Sequence, residues 1–312
     1  MASLGTSVFR PVVLRVSGHP WFRRLTTETG PGRALAARFV AGETLEDSIR
    51  VARELDRLRI TAMLDHLGEN VTSPALARAA ADAYLQALDR IAEERTLDCT
   101  VSVKLTQLGL ASSSEGCLEL LTPVLDRADE AGVRVMVDME SHVHVDRTLD
   151  VIRSIHARHP RVGVCLQAYL RRTAEDVFDL PPGLRVRLVK GSYLEPSGVV
   201  LGSKREVDES FRRLFSTLLA RGNAIDVATH DPALIEGIRR RVDALDNGWS
   251  RVEFQMLYGV RRDLQLSLSR EGYPIRVYIP YGTEWYPYLT RRLAERPANL
   301  WFFASNLLRS GR

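Results

Sequence analysis

Cys99-Thr-Val-Ser-Val-Lys104 is a short run of small and β-branched residues that ends on a charge. It reads as a strand buried on both faces, since it is too brief for an ordinary helix and rich in residues that suit a pleated surface. Val186-Arg-Leu-Val-Lys190 repeats the pattern. Of the 43 Lys+Arg residues, only Lys104, Lys190 and Lys204 are lysines, and two of them close such runs. At those two positions the chain uses a compact, rotatable ammonium, for which a planar guanidinium fork is no substitute.

The pattern extends outward from these two runs. Ile60–Asp65, Val133–Asp138, Val162–Gln167, Ala224–Thr229, Val252–Gln255 and Ile275–Tyr278 are further β-rich runs, making eight with Cys99–Lys104 and Arg185–Lys190. Between them lie stretches of helical period. Pro74–Arg95 places Leu76, Ala80, Ala83 and Leu88 on a stripe, and Val207–Ala220 does the same with Phe211, Leu214, Phe215 and Leu218. Strands alternating with helices imply βαβ units and a parallel sheet. Eight such units fit an α/β closed (β/α)8 TIM barrel better than an open doubly wound sheet. No G-x-G-x-x-G follows the first run, which argues against a Rossmann domain. The barrel is assigned to residues 56–312. Residues 1–55 stand outside the repeat and read as an N-terminal helical arm, in which Thr44…Asp47 resembles a capping box opening an amphipathic helix.

Composition narrows the function classes. Hydrophobic content of 45% and charged content of 26% are ordinary for a soluble globular chain. The net charge of +4 is spread over dispersed arginines, so no nucleic-acid partner is expected. Cys99, Cys117 and Cys165 are far apart, form no metal-spaced pair and fit a reducing, cytoplasmic compartment. No run approaches the roughly 18 apolar residues of a membrane span. His142 and His144 could share a ligand, but no set of carboxylates accompanies them, so surface histidines are expected and no metal.

In (β/α)8 barrels the chemistry gathers at the C-terminal ends of the strands. Here those ends read Asp65, Lys104, Asp138, Gln167, Lys190, Thr229-His230-Asp231, Gln255 and Tyr278. A single polar end marks only a chain leaving the core. A full ring of cations, carboxylates and amides suits a large polar ligand. Beyond the last run, Tyr288, Arg291, Arg292 and Glu295 stand at i, i+3, i+4 and i+7, on one helical face. Two guanidiniums on a face turned into a polar mouth make a carboxylate or phosphate clamp. A solvated pair matched to Glu295 would give the same spacing.

Several ordered motifs resemble monofunctional bacterial proline dehydrogenase. They are Phe39-Val-Ala-Gly-Glu-Thr-Leu45, Ser102-Val-Lys-Leu-Thr-Gln-Leu-Gly109, Val137-Asp-Met-Glu-Ser141 and Leu166-Gln-Ala-Tyr-Leu170. Arg187-Leu-Val-Lys-Gly-Ser-Tyr193, Ala228-Thr-His-Asp231, Glu253-Phe-Gln-Met-Leu-Tyr-Gly259 and the Tyr278…Arg291-Arg292…Glu295 block continue the series. The resemblance implies a distorted barrel with non-covalent FAD that oxidises L-proline to Δ1-pyrroline-5-carboxylate, by hydride transfer from C5 to flavin N5. It implies that Arg291, Arg292 and Lys104 hold the substrate carboxylate and that Asp138 orients that cluster. Tyr278 would pack on the pyrrolidine ring, with Tyr288 and Leu257 completing an apolar wall. Arg187 would lie near the flavin N5. Gln167, Lys190, Gly191, Thr229 and His230 would contact FAD. Glu69 would pair with Arg291 as a gate, and Tyr193 would support the pocket floor.

A bulky Tyr278 leaves no room for a ring hydroxyl, so proline is expected over hydroxyproline. With no room for an aldehyde dehydrogenase module in 312 residues, a separate pyrroline-5-carboxylate dehydrogenase is expected downstream. The resemblance also implies a membrane quinone as electron acceptor, hence peripheral contact with a bilayer. Val8–Leu25 and Leu300–Arg309 are the amphipathic stretches that could supply it, or that could pack as an arm and a closing helix. Two other readings compete. One is a methylenetetrahydrofolate-reductase-like FAD barrel, disfavoured because nicotinamide needs no carboxylate clamp. The other is a non-enzymatic carboxylate-binding barrel, which would carry no flavin.

Overall fold

The computed structural model describes residues 36–295, with side chains as far as Arg292. Val8–Leu25, Leu300–Arg309 and the side chain of Glu295 lie outside the described residues. Eight strands run β1 (Thr61–His66), β2 (Cys99–Val103), β3 (Val135–Val137), β4 (Val162–Gln167), β5 (Arg185–Val189), β6 (Ile225–Ala228), β7 (Val252–Leu257) and β8 (Ile275–Tyr281). They pair in sequence order, all parallel, and β8 returns to β1 to close the barrel. The seam sets Met63 beside Tyr278 and Asp65 beside Pro280.

Each of the eight expected runs contains a strand, with shifted boundaries. β3 starts at Val135 because Gly132, at φ 70°, ends the preceding helix and Val133 N–H turns back to Ala128 O at 2.9 Å. β7 and β8 run on to Leu257 and Tyr281, so Gln255 and Tyr278 lie within strands and not at their ends. The reason is the barrel's interior. Outward-facing Val101, Val103, Val164, Val186, Leu188 and Val277 join the apolar core with the helices. Alternate residues face inward, and many are polar: Ser102, Arg187, Asp226, Gln255 and Arg276 are buried and Glu253 is half-buried. A polar residue therefore does not mark the end of a strand here.

The helices are α1 (Leu45–Asp56), α2 (Pro74–Glu93), α3 (Ser114–Ala131), α4 (Val145–Ile155), α5 (Thr173–Asp176), α6 (Lys204–Ala220), α7 (Pro232–Asp243), α8 (Arg262–Arg270) and α9 (Trp285–Glu295). α1 opens on the expected capping box: Asp47 N–H donates to the Thr44 hydroxyl and Thr44 N–H donates to the Asp47 carboxylate, each at 3.2 Å. Such a cap stabilises a helix by about 1 kcal/mol. α1 then buries Ile49, Val51, Ala52 and Leu55 across β1 and β8, covering the seam. The preceding segment crosses the other end of β8, where Ala41 N–H donates to Pro280 O and Gly282 N–H to Gly42 O. With the seam covered by α1, α9 brings Tyr288, Arg291 and Arg292 to the wall of a cavity at the barrel mouth.

Candidate active site

Beneath the mouth, polar side chains from β2 and its C-terminal end, β5 and β8 converge on one carboxylate. Asp138, which follows β3, accepts from Tyr278 Oη at 2.8 Å, Lys104 Nζ at 3.0 Å, Ser102 Oγ at 2.7 Å and Arg187 Nη1 at 2.5 Å. Burial opposes its ionisation, but Lys104 and Arg187 outweigh that and hold its carboxyl down to about 2. Lys104 also donates to Tyr278 Oη at 3.1 Å and to Asp65. Burial works against its charge, and Asp65, Tyr278 and Asp138 hold it well above the usual lysine range. Burial also pushes Asp65 up, and its Oδ2 finds no partner among the described residues. Burial and the two carboxylates raise the Tyr278 phenol, so it remains a proton donor at neutral pH. The Tyr278 ring lies 5.3 Å from the Arg187 guanidinium carbon.

Lys104 differs from the sequence expectation in one respect. All three of its N–H groups are taken, by Asp65, Asp138 and Tyr278. A substrate carboxylate would have to displace one of those partners. Lys104 thus holds the tyrosine hydroxyl and two carboxylates while it lines the cavity.

The second group comes from α9 and two loops. Arg291 is ion-paired with Glu69, which also accepts from Tyr193 Oη at 3.1 Å. The Arg291 guanidinium lies 5.9 Å from the ring centre of Tyr193, which also lines the cavity. The Arg292 guanidinium lies 5.3 Å from the ring of Tyr288, which is buried. Leu257 is half-buried on the same cavity, and its N–H donates to His230 Nε2 at 3.0 Å, which puts the imidazole proton on Nδ1.

The third group lies along the far wall. Gln167 ends β4 and donates to Glu140 O at 2.8 Å. Arg187 Nε donates to Gln255 Oε1 at 2.8 Å. Thr229 is buried, and its hydroxyl accepts from Asp231 N–H at 3.2 Å. Lys190 does follow β5 as Lys104 follows β2, yet its ammonium is held between Asp208 at 2.6 Å and Asp231 at 2.8 Å. Lys204 joins the same two aspartates from the first turn of α6. Gly191 sits beside Lys190, where an added Cβ would fall 2.1 Å from the Tyr169 ring.

One cavity of about 560 Å³ joins the three groups. Lys104, Asp138, Tyr278, Tyr288, Leu257, Arg291 and Arg292 line it together with Gln167, Arg187, Lys190, Gly191, Thr229 and His230. Glu69 meets the site only through Arg291 and Tyr193. The size suits a large organic ligand. Apolar Met139, Val189 and Ala228 line the cavity as well, with Lys190 and Lys204, whose charges are shared with Asp208 and Asp231.

Sequence reasoning gave no role to several residues that build this site. Asp65 and Gln255 stood in the ring of strand ends without a function, and Gln255 carries hydrogen bonding from Arg187 down to Glu253 at 2.8 Å. Lys204 closes no strand run and was given no role. Ser102 and Glu140 lie inside motifs of the resemblance without a role of their own, Asp208 lies in none, and only their three-dimensional partners reveal them. His142 takes Glu195 as its partner, through both its N–H at 2.9 Å and its ring. Among the described residues no cluster of three or more metal-ligating side chains occurs.

Proline dehydrogenase 1 of Bacillus subtilis (strain 168) is 41% identical over 277 residues, 88% of this chain and 91% of that one. Proline dehydrogenase of Deinococcus radiodurans is 39% identical over 312 residues, covering 97% and 98% of the two chains. Proline utilization A (PutA) from Bdellovibrio bacteriovorus superposes with a TM-score of 0.75 at 25% identity, over 84% of this chain and 32% of that much longer one. Residues 48–305 match the proline dehydrogenase family, and the chain belongs to that family.

Proposed function

We propose that the chain oxidises L-proline to Δ1-pyrroline-5-carboxylate in the cavity at the barrel mouth. The observation that carries this reading is the meeting of Arg291 and Arg292 with the Lys104–Asp138–Tyr278 cluster on one cavity. FAD, bound non-covalently, would accept the hydride leaving C5 at its N5 and pass the electrons on to a membrane quinone. Gln167, Arg187, Lys190, Gly191, Thr229 and His230 are the residues that would hold it.

The protein's own part is orientation and charge balance. Arg291 and Arg292 present planar donor forks to the substrate carboxylate. Tyr278 supplies the opposing wall and is held by Asp138 and Lys104, so the ring is fixed before substrate arrives. Asp138 keeps the pocket near neutrality, with Lys104 and Arg187 set against Asp138 and Asp65. Glu69 covers Arg291 until a carboxylate competes for it. The neutral amine needs no proton removed by the protein, and no general base is assigned. Downstream, the product would pass to a separate pyrroline-5-carboxylate dehydrogenase.

The test is the visible absorption spectrum of the purified protein, before and after anaerobic L-proline. Flavin bands that bleach with proline and not with NADH support the reading. Bands that bleach only with NADH point to a methylenetetrahydrofolate-reductase-like reaction. No flavin bands after FAD reconstitution would refute it.

A further inference from the structure

Glu69 sits in the short loop between β1 and α2; Leu67 N–H ties the start of that loop to Tyr281 O at 2.8 Å, and Thr106 holds the stretch after Glu69. Asn70 N–H donates to the Thr106 hydroxyl at 2.9 Å, and Val71 N–H donates to Thr106 O at 3.1 Å. Asn70 itself is in the left-handed region at φ 57°, a conformation that Asn tolerates better than most residues. Gly68 lies so close to the 104–107 segment that an added Cβ would be 2.5 Å from Gln107 Nε2. The loop is therefore seated on Thr106.

Thr106 is in turn oriented by Glu140. The Thr106 hydroxyl donates to Glu140 Oε1 at 2.5 Å and its N–H donates to Glu140 Oε2 at 3.0 Å. The Thr106 hydroxyl thus stands between the two, donating to Glu140 and accepting from Asn70 N–H. Both residues are buried, and neither lines the cavity. Lys104 and Glu69 are the charged groups that act on Glu140 besides Thr106.

We infer that Thr106 and Glu140 are positioning residues for the Glu69–Arg291 pair: they set where Glu69 stands, and so how readily Arg291 is released to a substrate carboxylate. This rests on the reading that Arg291 binds that carboxylate. Displacing the loop changes the competition between Glu69 and substrate for one guanidinium, and leaves the reacting atoms alone. The effect belongs in KM and not in kcat.

The experiment is steady-state proline oxidation by the full-length, FAD-loaded enzyme with a dye acceptor. The variants are Thr106→Val, Thr106→Ser, Glu69→Gln and the Thr106→Val/Glu69→Gln double. Thr106→Val is expected to change KM about five- to tenfold, the size of one hydrogen bond, with kcat within about twofold. Thr106→Ser, which keeps the hydroxyl, retains the wild-type KM. In the Glu69→Gln background, Thr106→Val adds nothing, because residues acting through one another are not additive. Full additivity in that double-mutant cycle, or an unchanged KM in Thr106→Val, overturns the inference. If Glu69→Gln alone leaves KM unchanged, the gate reading fails and the inference with it. If Glu69→Gln shifts KM and Thr106→Val does not, only the inference fails. Should Thr106→Val not fold, Glu140→Gln carries the same cycle, since the amide exchanges one of the two oxygens that accept from Thr106 for an N–H donor.

Discussion

The Tyr278 hydroxyl donates to Asp138 Oδ2 at 2.8 Å while it accepts from Lys104 Nζ at 3.1 Å. One phenol thus links a carboxylate from β3 to an ammonium from β2, and its ring is held from both sides. Tyr278→Phe removes both bonds and keeps the ring. Losing hydrogen bonds to charged partners costs about 1.5–3 kcal/mol, so kcat/KM for proline should fall roughly ten- to hundredfold. An unchanged kcat/KM would remove the hydroxyl from the working site.

The same ring sets a size limit. The wild-type protein should oxidise proline well ahead of trans-4-hydroxyproline, and Tyr278→Ser should narrow the gap by opening space. Parallel rate measurements on the two substrates check this, and equal wild-type rates would sink it.

Arg291→Met should raise KM strongly, because a partly desolvated carboxylate loses a charge-assisted partner at a cost of about 2–4 kcal/mol. The variant also frees Glu69 from its ion pair. A proline titration of initial rates gives the answer, and a wild-type KM would take Arg291 out of the clamp.

Glu140 gives the fold a pH signature. Burial pushes its carboxyl from an ordinary 4.5 up to about 7, against the hydrogen bonds from Thr106. The folded state therefore favours the protonated form. That stability is fully present below the unfolded value and is lost as pH rises through 7, a span of about 3 kcal/mol. Glu140→Gln cannot ionise and should flatten this part of the profile. Urea unfolding of both proteins at pH 5 and pH 8 tests it, and a wild-type–variant difference that is the same at both values would refute it.

Arg276 is buried low in the barrel, donating to Glu253 at 2.9 Å, Asp98 at 3.0 Å and Ala62 O at 2.7 Å. Arg276→Met strands Glu253 among its remaining partners Arg134 and Gln255. Breaking such a buried pair costs about 3–5 kcal/mol. A lower denaturation midpoint with a near-normal KM for proline is the expected result. A drop in KM-dependent activity without loss of stability would contradict it.

Much of this was legible along the chain. Val186-Arg-Leu-Val-Lys190 reads as a strand because its apolar residues need a helix layer outside the barrel, and that layer is present. Arg291 and Arg292 were legible because a helical period carried charge where an apolar stripe belongs. The exact ends of β7 and β8 were not legible, because an inward polar residue such as Gln255 breaks the pattern without ending the strand. Lys104 and Lys190 looked alike in sequence, yet one is held by Asp65 and Asp138 and the other by Asp208 and Asp231. The difference comes from partners distant in sequence, on β1, β3, α6 and the β6–α7 turn, which no local window contains. The roles of Thr106 and Glu140 were hidden for the same reason.

The β1–β8 seam has a consequence for how the chain is made. Met63 and Tyr278 are neighbours across it although more than two hundred residues separate them. During synthesis β1 emerges early and waits, one edge unpaired, until β8 arrives. Such an open edge is a template for pairing with another chain. Tyr278, the last-made member of the cluster around Asp138, is delivered by the same strand that closes this edge. A ribosome stalled before β8 therefore releases a product that is inactive and sticky for one and the same reason.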